Sequence, residues 1–217
     1  MSYHDEQESI ESFKAWWAQW GNSTTWAVLI VLLGLAAWNG WNFWQRRHAA
    51  EAAVLYDQVQ QAASGGAMGG AMGGDKAVLT RVASDMEDRF GGTAYAQMTA
   101  LTVAKSLYVA GDTAGAKAQL QWAADHAKDN EFRQIAKLRL ASLLLDEKAY
   151  DQGLALIPQP DSGPFKGLVA DGRGDLLAAA GKHDDARAAY KLALDSLPKS
   201  DASERQLVQF KLDALGG

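Results

Sequence analysis

Residues 168–198, LVADGRGDLLAAAGKHDDARAAYKLALDSLP, determine how the larger part of this chain folds. Two small residues, Gly174 and Ala186, stand twelve positions apart in this stretch. The same spacing occurs twice more upstream, in the pairs Ala104/Ala116 and Ala141/Gly153. The first members of successive pairs are 37 and 33 residues apart, close to the period of about 34 residues that helical-hairpin repeats show. The sequence therefore predicts three helical hairpins, with small residues where the two helices of each hairpin cross most closely.

Apolar residues and prolines support the same division. Each small residue has an apolar partner at a fixed offset, three or four positions later: Leu107, Leu144, Leu177, Leu120, Ile157 and Tyr190. All four prolines fall at or just beyond the predicted helix ends, where a missing N–H costs least: Pro158, Pro160, Pro164 and Pro198. Because Gly153 and Pro160 interrupt the middle hairpin, we expect its second helix to be short. A last helix over residues 201–215, with Leu207, Phe210 and Leu215 on one face, should cap the stack.

Upstream of the repeats, residues 45–90 predict a first helical pair with a linker inside it. Residues 45–63 repeat apolar positions at helical spacing, and residues 75–90 do so again before Gly91-Gly92 ends the second helix. Between them, residues 64–74 read SGGAMGGAMGG, which has no charge and cannot build a core, so a flexible linker is expected. The repeats and the capping helix then occupy residues 91–217.

Residues 26–44 predict a transmembrane helix. No charged residue lies between Lys14 and Arg46, and Trp26 to Trp38 is apolar or glycine throughout. Nineteen helical residues span roughly 28 Å, about the hydrocarbon thickness of a bilayer. Seven aliphatic residues contribute roughly −3 kcal/mol to insertion, and tryptophans mark both ends, as is typical of the membrane interface.

Residues 1–25 predict an acidic, uncleaved N-terminal segment. This segment contains four acidic residues and only one lysine, whereas a secretory signal peptide begins with positive charge. An apolar face at helical spacing predicts a short helix in the membrane surface, and Gly21, Asn22 and Ser23 are expected to end it, with Asn22 or Ser23 capping the span. Arg46 and Arg47 outnumber Lys14, so charge alone weakly favours a cytoplasmic C-terminal domain.

Composition excludes several function classes. The net charge is −5 with no basic stripe, so nucleic-acid binding is not expected. Cysteine is absent, and the four histidines have no ligand spacing, so neither thiol chemistry nor a metal site is expected. Gly172-x-Gly174 lacks the third glycine and the preceding strand of a dinucleotide site. We therefore expect no enzyme activity, no cofactor and no small-molecule substrate.

The motifs quoted above resemble known families. Residues 181–198, GKHDDARAAYKLALDSLP, are similar to the second helix of a tetratricopeptide repeat. Together with ESFKAWW near the N-terminus, WNGWNFWQRR after the span and the block LVADGRGDLLAAAGKHDDARAAY, the chain resembles the YfgM-type family of ancillary SecYEG translocon subunits. The resemblance implies an all-α protein with one transmembrane helix and a tetratricopeptide-like solenoid.

The resemblance also implies a place and partners. It implies a bacterial inner-membrane protein with a cytoplasmic N-terminus and a periplasmic repeat domain, opposite to the one-charge bias. The implied partners are the SecYEG translocon, a PpiD-type periplasmic chaperone, translocated polypeptides and the membrane lipid. Two alternatives remain: a regulatory tether that sequesters a stress-response regulator through the acidic N-terminus, and a scaffold for envelope enzymes.

Candidate partner-binding residues lie on two surfaces. In the span, Asn39 and Asn42 share a helix face and either lie at headgroup depth or bond a partner helix. In the repeats, the first helices of the hairpins should line a concave face. Family offsets place these residues there: Met98, Leu101, Lys105, Tyr108, Ile135, Leu138, Arg139, Ser142, Leu168, Asp171 and Asp175. Alternatively, about half of them pack against the neighbouring helix.

Overall fold

The computed structural model describes residues 3–68, 76–158 and 163–216. These residues form nine α-helices and no strand, which confirms the predicted all-α class. The helices are α1 (Tyr3–Met68), α2 (Lys76–Phe90), α3 (Ala94–Val109), α4 (Thr113–His126), α5 (Asn130–Asp146), α6 (Tyr150–Leu156), α7 (Lys166–Ala179), α8 (His183–Ser196) and α9 (Ala202–Ala214). The chain divides into two compact units, residues 1–50 and residues 51–217.

The first unit contains the apolar stretch. Among the described residues, one helical segment, Thr25–Ser64, contains a window long and apolar enough to cross a membrane, and none of that window is buried. Its large side chains are exposed, as Ile30 at 65% and Trp38 at 69% show. A helix that exposes this much apolar surface is not a core helix of the protein, because a core helix buries such side chains.

The predicted helix break at Gly21, Asn22 and Ser23 is wrong. Helix α1 continues through these three residues without interruption, so neither Asn22 nor Ser23 caps a separate spanning helix. One glycine inside a long helix costs only about 1 kcal/mol, which the hydrogen-bonded turns on either side tolerate. The location of residues 3–20 in the membrane surface stays a prediction.

The three predicted hairpins are present as α3–α4, α5–α6 and α7–α8. All six small residues at the twelve-residue spacing are buried. In the middle hairpin, a Cβ atom at Gly153 would lie 3.5 Å from the carbonyl oxygen of Ala141, its partner in the pair. The small residues therefore do mark the close crossing of the two helices.

The turns inside the hairpins share one backbone conformation. Gly111, Lys148 and Gly181 occupy equivalent positions, 37 and 33 residues apart, and have φ angles of 80°, 59° and 75°. Only glycine adopts this left-handed region without steric cost, so Lys148 is the strained member of the set. The equal geometry shows that the repeat extends to the turn, although the residue types differ.

Helix α6 is short, as predicted, with only the seven residues Tyr150–Leu156. The Arg173 guanidinium of α7 donates hydrogen bonds to the carbonyl oxygens of Leu154 and Ile157, at 3.4 and 2.9 Å. These bonds satisfy carbonyl groups that have no partner at the early helix end. Pro160 lies outside the described residues.

The linker prediction for residues 64–74 is wrong over its first five residues. Residues 64–68 belong to α1, and the Ser64 hydroxyl donates to the Gln60 carbonyl oxygen at 2.7 Å. Residues 69–75 lie outside the described residues. Before this point, Ala52 and Val59 of α1 are fully buried in clusters with residues of α2 and α3.

The capping helix α9 forms, but it presents a different face from the predicted one. Val208 and Leu212 are buried against α8 and α7 residues, whereas Leu207 is 49% and Phe210 is 72% exposed. Of the predicted face, only Leu215 packs against this cluster. Polar anchors explain the rotation, because Arg205 donates to the carbonyl oxygens of Leu194 and Leu197 and thereby sets the turn of the helix.

Candidate functional site: a groove between α3 and α5

Helices α3 and α5 run parallel and form the two walls of an open groove. Arg139 Nη1 reaches the Leu101 carbonyl oxygen at 3.4 Å, and the Tyr108 hydroxyl donates to Asp146 Oδ2 at 2.9 Å. Both bonds join residues 38 positions apart, so the helices keep one register along this length. We call this feature the α3–α5 groove.

The groove has an apolar floor and a charged rim. It has a volume of about 380 Å³ and is lined by Ala104, Lys105, Tyr108, Ala116, Leu120, Arg139, Ser142, Leu143 and Asp146. The α4 residues Ala116 and Leu120 are buried and form part of the floor, while Lys105 and Arg139 are exposed at the rim. Four of the residues predicted to bind partners therefore lie around one cavity.

Tyr108 and Asp146 close one end of the groove. The hydrogen bond that the Tyr108 hydroxyl donates to Asp146, together with the negative charge of Asp146, favours the neutral phenol and raises the pKa of Tyr108. Tyr108 therefore stays protonated and keeps donating at neutral pH.

Two other predicted residues, Asp171 and Asp175, are already occupied by α9. Lys211 Nζ lies 2.9 Å from both oxygens of Asp171 and 2.9 Å from Asp175 Oδ2. The Tyr190 hydroxyl donates to Asp175 Oδ1 at 2.8 Å. We call Asp171, Asp175, Tyr190 and Lys211 the α7–α9 cluster.

Both partners of the ion pair in the α7–α9 cluster have a raised pKa, which disfavours the charged form of Asp171 and favours the charged form of Lys211. Burial raises the pKa of Asp171, and the charge of Asp175 adds to this, which outweighs the effect of Lys211. For Lys211, burial alone would lower the pKa, but the hydrogen bonds to Asp175 and Asp171 raise it overall. One ammonium shared by two carboxylates is strongly stabilised itself, yet it cannot fully offset the burial of the deeper carboxylate.

Burial also raises the pKa of Tyr190, and the hydrogen bond to Asp175 acts in the same direction. Asp175 therefore accepts one neutral and one cationic donor. The hydrogen bonds of the cluster are made within the protein. Asp171 is only 8% exposed, and its side chain joins α7 to α9.

The remaining predicted residues divide between core and surface. Leu101 is buried in the main core, and Met98, Ile135 and Leu138 are half-buried. Leu168, Leu138, Ser142 and Asp175 line a second, smaller cavity of about 200 Å³ beside α7. In the first unit, Asn39 is exposed and Asn42 is half-buried.

Sequence reasoning missed three residues that shape these features. Asp146 accepts a hydrogen bond from Tyr108, Lys211 pairs with both carboxylates of the α7–α9 cluster, and Arg173 bonds the last carbonyl groups of α6. Each contacts a residue at least 16 positions away in sequence, so helical periodicity carries no signal for it. Across the described ranges, no three His, Asp or Glu side chains come together as a metal would need.

Comparison with known proteins defines the class first. The chain belongs to the tetratricopeptide repeat-like domain family, whose sequence model matches residues 14–217. This match agrees with the hairpin pattern found in the structure.

One relative carries a more specific description than the family does. The chain is 36% identical over 100 residues to a protein of Neisseria gonorrhoeae (strain ATCC 700825 / FA 1090) named ancillary SecYEG translocon subunit. The alignment covers 46% of this chain and 47% of the relative, so it spans about half the length of each. No solved structure matches the chain.

Proposed function

We propose that this chain is a single-span membrane adaptor whose repeat domain holds polypeptide partners beside the SecYEG protein-export channel. The observation that carries the proposal is the exposed apolar surface of α1, where Ile30, Val31 and Leu33 are each at least 60% exposed. In water such a surface is unstable, whereas in a bilayer it is solvated by lipid. The similarity to a translocon subunit supports the choice of this channel as the neighbour.

The adaptor acts by binding and not by catalysis. Its repeat helices offer an open groove with a charged rim, which suits a polypeptide ligand better than the enclosed site of an enzyme. We further propose that the span lies in the bacterial inner membrane, with the N-terminus in the cytoplasm and the repeats in the periplasm. The partners there would be translocated polypeptides and a PpiD-type chaperone.

Asn39 and Asn42 are the proposed contact with the channel inside the membrane. A polar amide at this depth is stabilised when it bonds a neighbouring helix. The two residues are three positions apart on α1 and therefore share a face. Ala37 and Trp44 lie on the opposite face by the same geometry.

In-membrane cross-linking tests this contact. Photoreactive residues at positions 39 and 42 should capture a SecYEG subunit, whereas the matched positions 37 and 44 should not. Equal capture from both faces would remove the case for a specific contact, and absence of any channel subunit from all four would contradict the proposed function.

Reporter fusions test the orientation. Alkaline phosphatase, which is active only outside the cytoplasm, should be active when fused to the C-terminus. A cytoplasmic reporter fused at the same point should be inactive. The reverse pair of results would place the repeats in the cytoplasm.

A further inference from the structure

The α3–α5 groove carries an excess of positive charge that the protein itself does not neutralise. Within the described ranges, Lys105 makes no ion pair, and Arg139 makes only a long bond to a carbonyl oxygen, at 3.4 Å. The one carboxylate in the groove, Asp146, already accepts from Tyr108. The whole chain has a net charge of −5, so the positive charge of this groove is opposite in sign to that of the protein. It indicates an anionic group on the partner.

The charges stand in a fixed order along the groove. Arg139 and Asp146 are seven residues apart on α5, which corresponds to about 10 Å along the helix. Lys105 lies between these two levels on the opposite wall, because Arg139 pairs with Leu101 and Asp146 pairs with Tyr108. An extended chain covers about 10 Å in three residues.

The floor between the charged ends is apolar. Ala104, Ala116 and Leu120 are buried beneath it, and all three line the cavity. A volume of about 380 Å³ accommodates an apolar side chain together with part of a backbone, while the charged head groups stay at the rim.

We infer that the α3–α5 groove binds an internal, extended polypeptide segment in which an acidic residue and a hydrogen-bond donor residue stand three positions apart, with apolar side chains between them. The acidic side chain pairs with Arg139 and Lys105, the apolar residues cover the floor, and the donor bonds the remaining oxygen of Asp146. This inference rests on the proposed adaptor function and specifies the ligand of its repeat domain.

Peptide binding to the full-length protein in detergent micelles tests the inference. The probe is a fluorescent twelve-residue peptide with Glu-Leu-Leu-Lys at its centre and both ends blocked, measured by fluorescence anisotropy. A peptide with Gln in place of Glu serves as the control. The Glu peptide should bind about tenfold more tightly than the Gln peptide, because a charge-assisted pair is lost in the latter.

Variants of the protein locate the site. Arg139→Gln and Lys105→Gln should each weaken binding of the Glu peptide by about tenfold, while Arg139→Lys should keep most of it. Lys191→Gln is the matched control, because Lys191 is an exposed lysine of α8 outside the groove. Circular dichroism and the melting temperature verify that each variant remains folded.

The outcomes separate this inference from the proposed function. Equal binding of the Glu and Gln peptides, unchanged binding in both groove variants, or no binding at all would overturn the inference. So would tighter binding of a Gln peptide with a free C-terminal carboxylate, because the ligand would then be a chain end. None of these results affects cross-linking to the channel, which tests the adaptor function independently.

Discussion

At residue scale, Gly174 shows how one missing methyl group permits a helix crossing. A Cβ atom at this position would overlap the ring of Tyr190, which is buried and bonded to Asp175. Gly172, two residues earlier on α7, is different, because its Cβ would meet Ile157 at an ordinary 3.4 Å. The two glycines therefore allow a controlled comparison, because adding a methyl group causes a clash at Gly174 but not at Gly172.

Gly174→Ala should lower the free energy of unfolding by about 1–2 kcal/mol, because overpacking outweighs the gain in helix propensity. Gly172→Ala should be neutral or stabilising, since it gains the propensity without a clash. Thermal unfolding of the two variants measures the difference. Equal melting temperatures would show that Tyr190 can move aside at no cost.

Lys211 is the second residue whose role is testable. Lys211→Met should lower the free energy of unfolding by about 1–3 kcal/mol, less than for a fully buried pair because the lysine side chain is 24% exposed. Lys191→Met, at an exposed lysine of α8, is the control and should change stability by less than about 0.5 kcal/mol. Denaturant unfolding gives both values.

The ion pair between Lys211 and Asp171 predicts that stability depends on pH. The pKa of Lys211 in the folded protein lies above the ordinary 10.5, so its contribution is fully present below pH 10.5 and is lost as the pH rises through the folded value. As the pH rises from neutral, the stability difference between wild type and Lys211→Met should therefore stay constant and then shrink in strong alkali. It should also shrink in acid, where Asp171, whose pKa is raised, takes up a proton and the ion pair is lost. A difference that already disappears near neutral pH would contradict the direction of the shift.

At the scale of elements, α9 shows where periodicity is insufficient. Two apolar faces were available on this helix, and the predicted one, with Leu207 and Phe210, is exposed. Val208 and Leu212 are buried because the contacts of Arg205 and Lys211 with distant residues set the rotation of the helix. Helix existence was predictable, but its buried face depended on these long-range bonds.

Val208→Asp should destabilise the repeat domain by several kcal/mol, because it buries an unpaired carboxylate. Leu207→Asp should change stability by less than about 0.5 kcal/mol, since Leu207 is half-exposed. Melting temperatures of the two variants compare the observed face with the predicted one directly. The reverse order would restore the face inferred from sequence.

At the scale of the whole molecule, the apolar stretch of α1 should determine where the protein is found. The full chain should stay with membranes after alkaline carbonate extraction, because the predominantly apolar helical segment of 19 residues, 26–44, remains in the bilayer. Replacing Ile30 and Leu33 by Asp should release a large fraction, since each central Asp costs about 3 kcal/mol. Ser64→Asp in the same helix is the control and should leave the protein membrane-bound. Full extraction of the wild-type chain would contradict a membrane span.

The sequence by itself determined the all-α class, the three hairpins, the short α6 and the apolar stretch. These features depend on local periodicity and on small residues at a constant spacing, and both are visible in one dimension. The continuation of α1 through Gly21 is a local property of the helix that the pattern of the sequence did not reveal. The tertiary structure alone decided which face of α9 is buried and that Lys211 pairs with Asp171 and Asp175. The physical reason is that ion pairs and hydrogen bonds between residues 36 to 40 positions apart choose among faces that local pattern leaves equivalent.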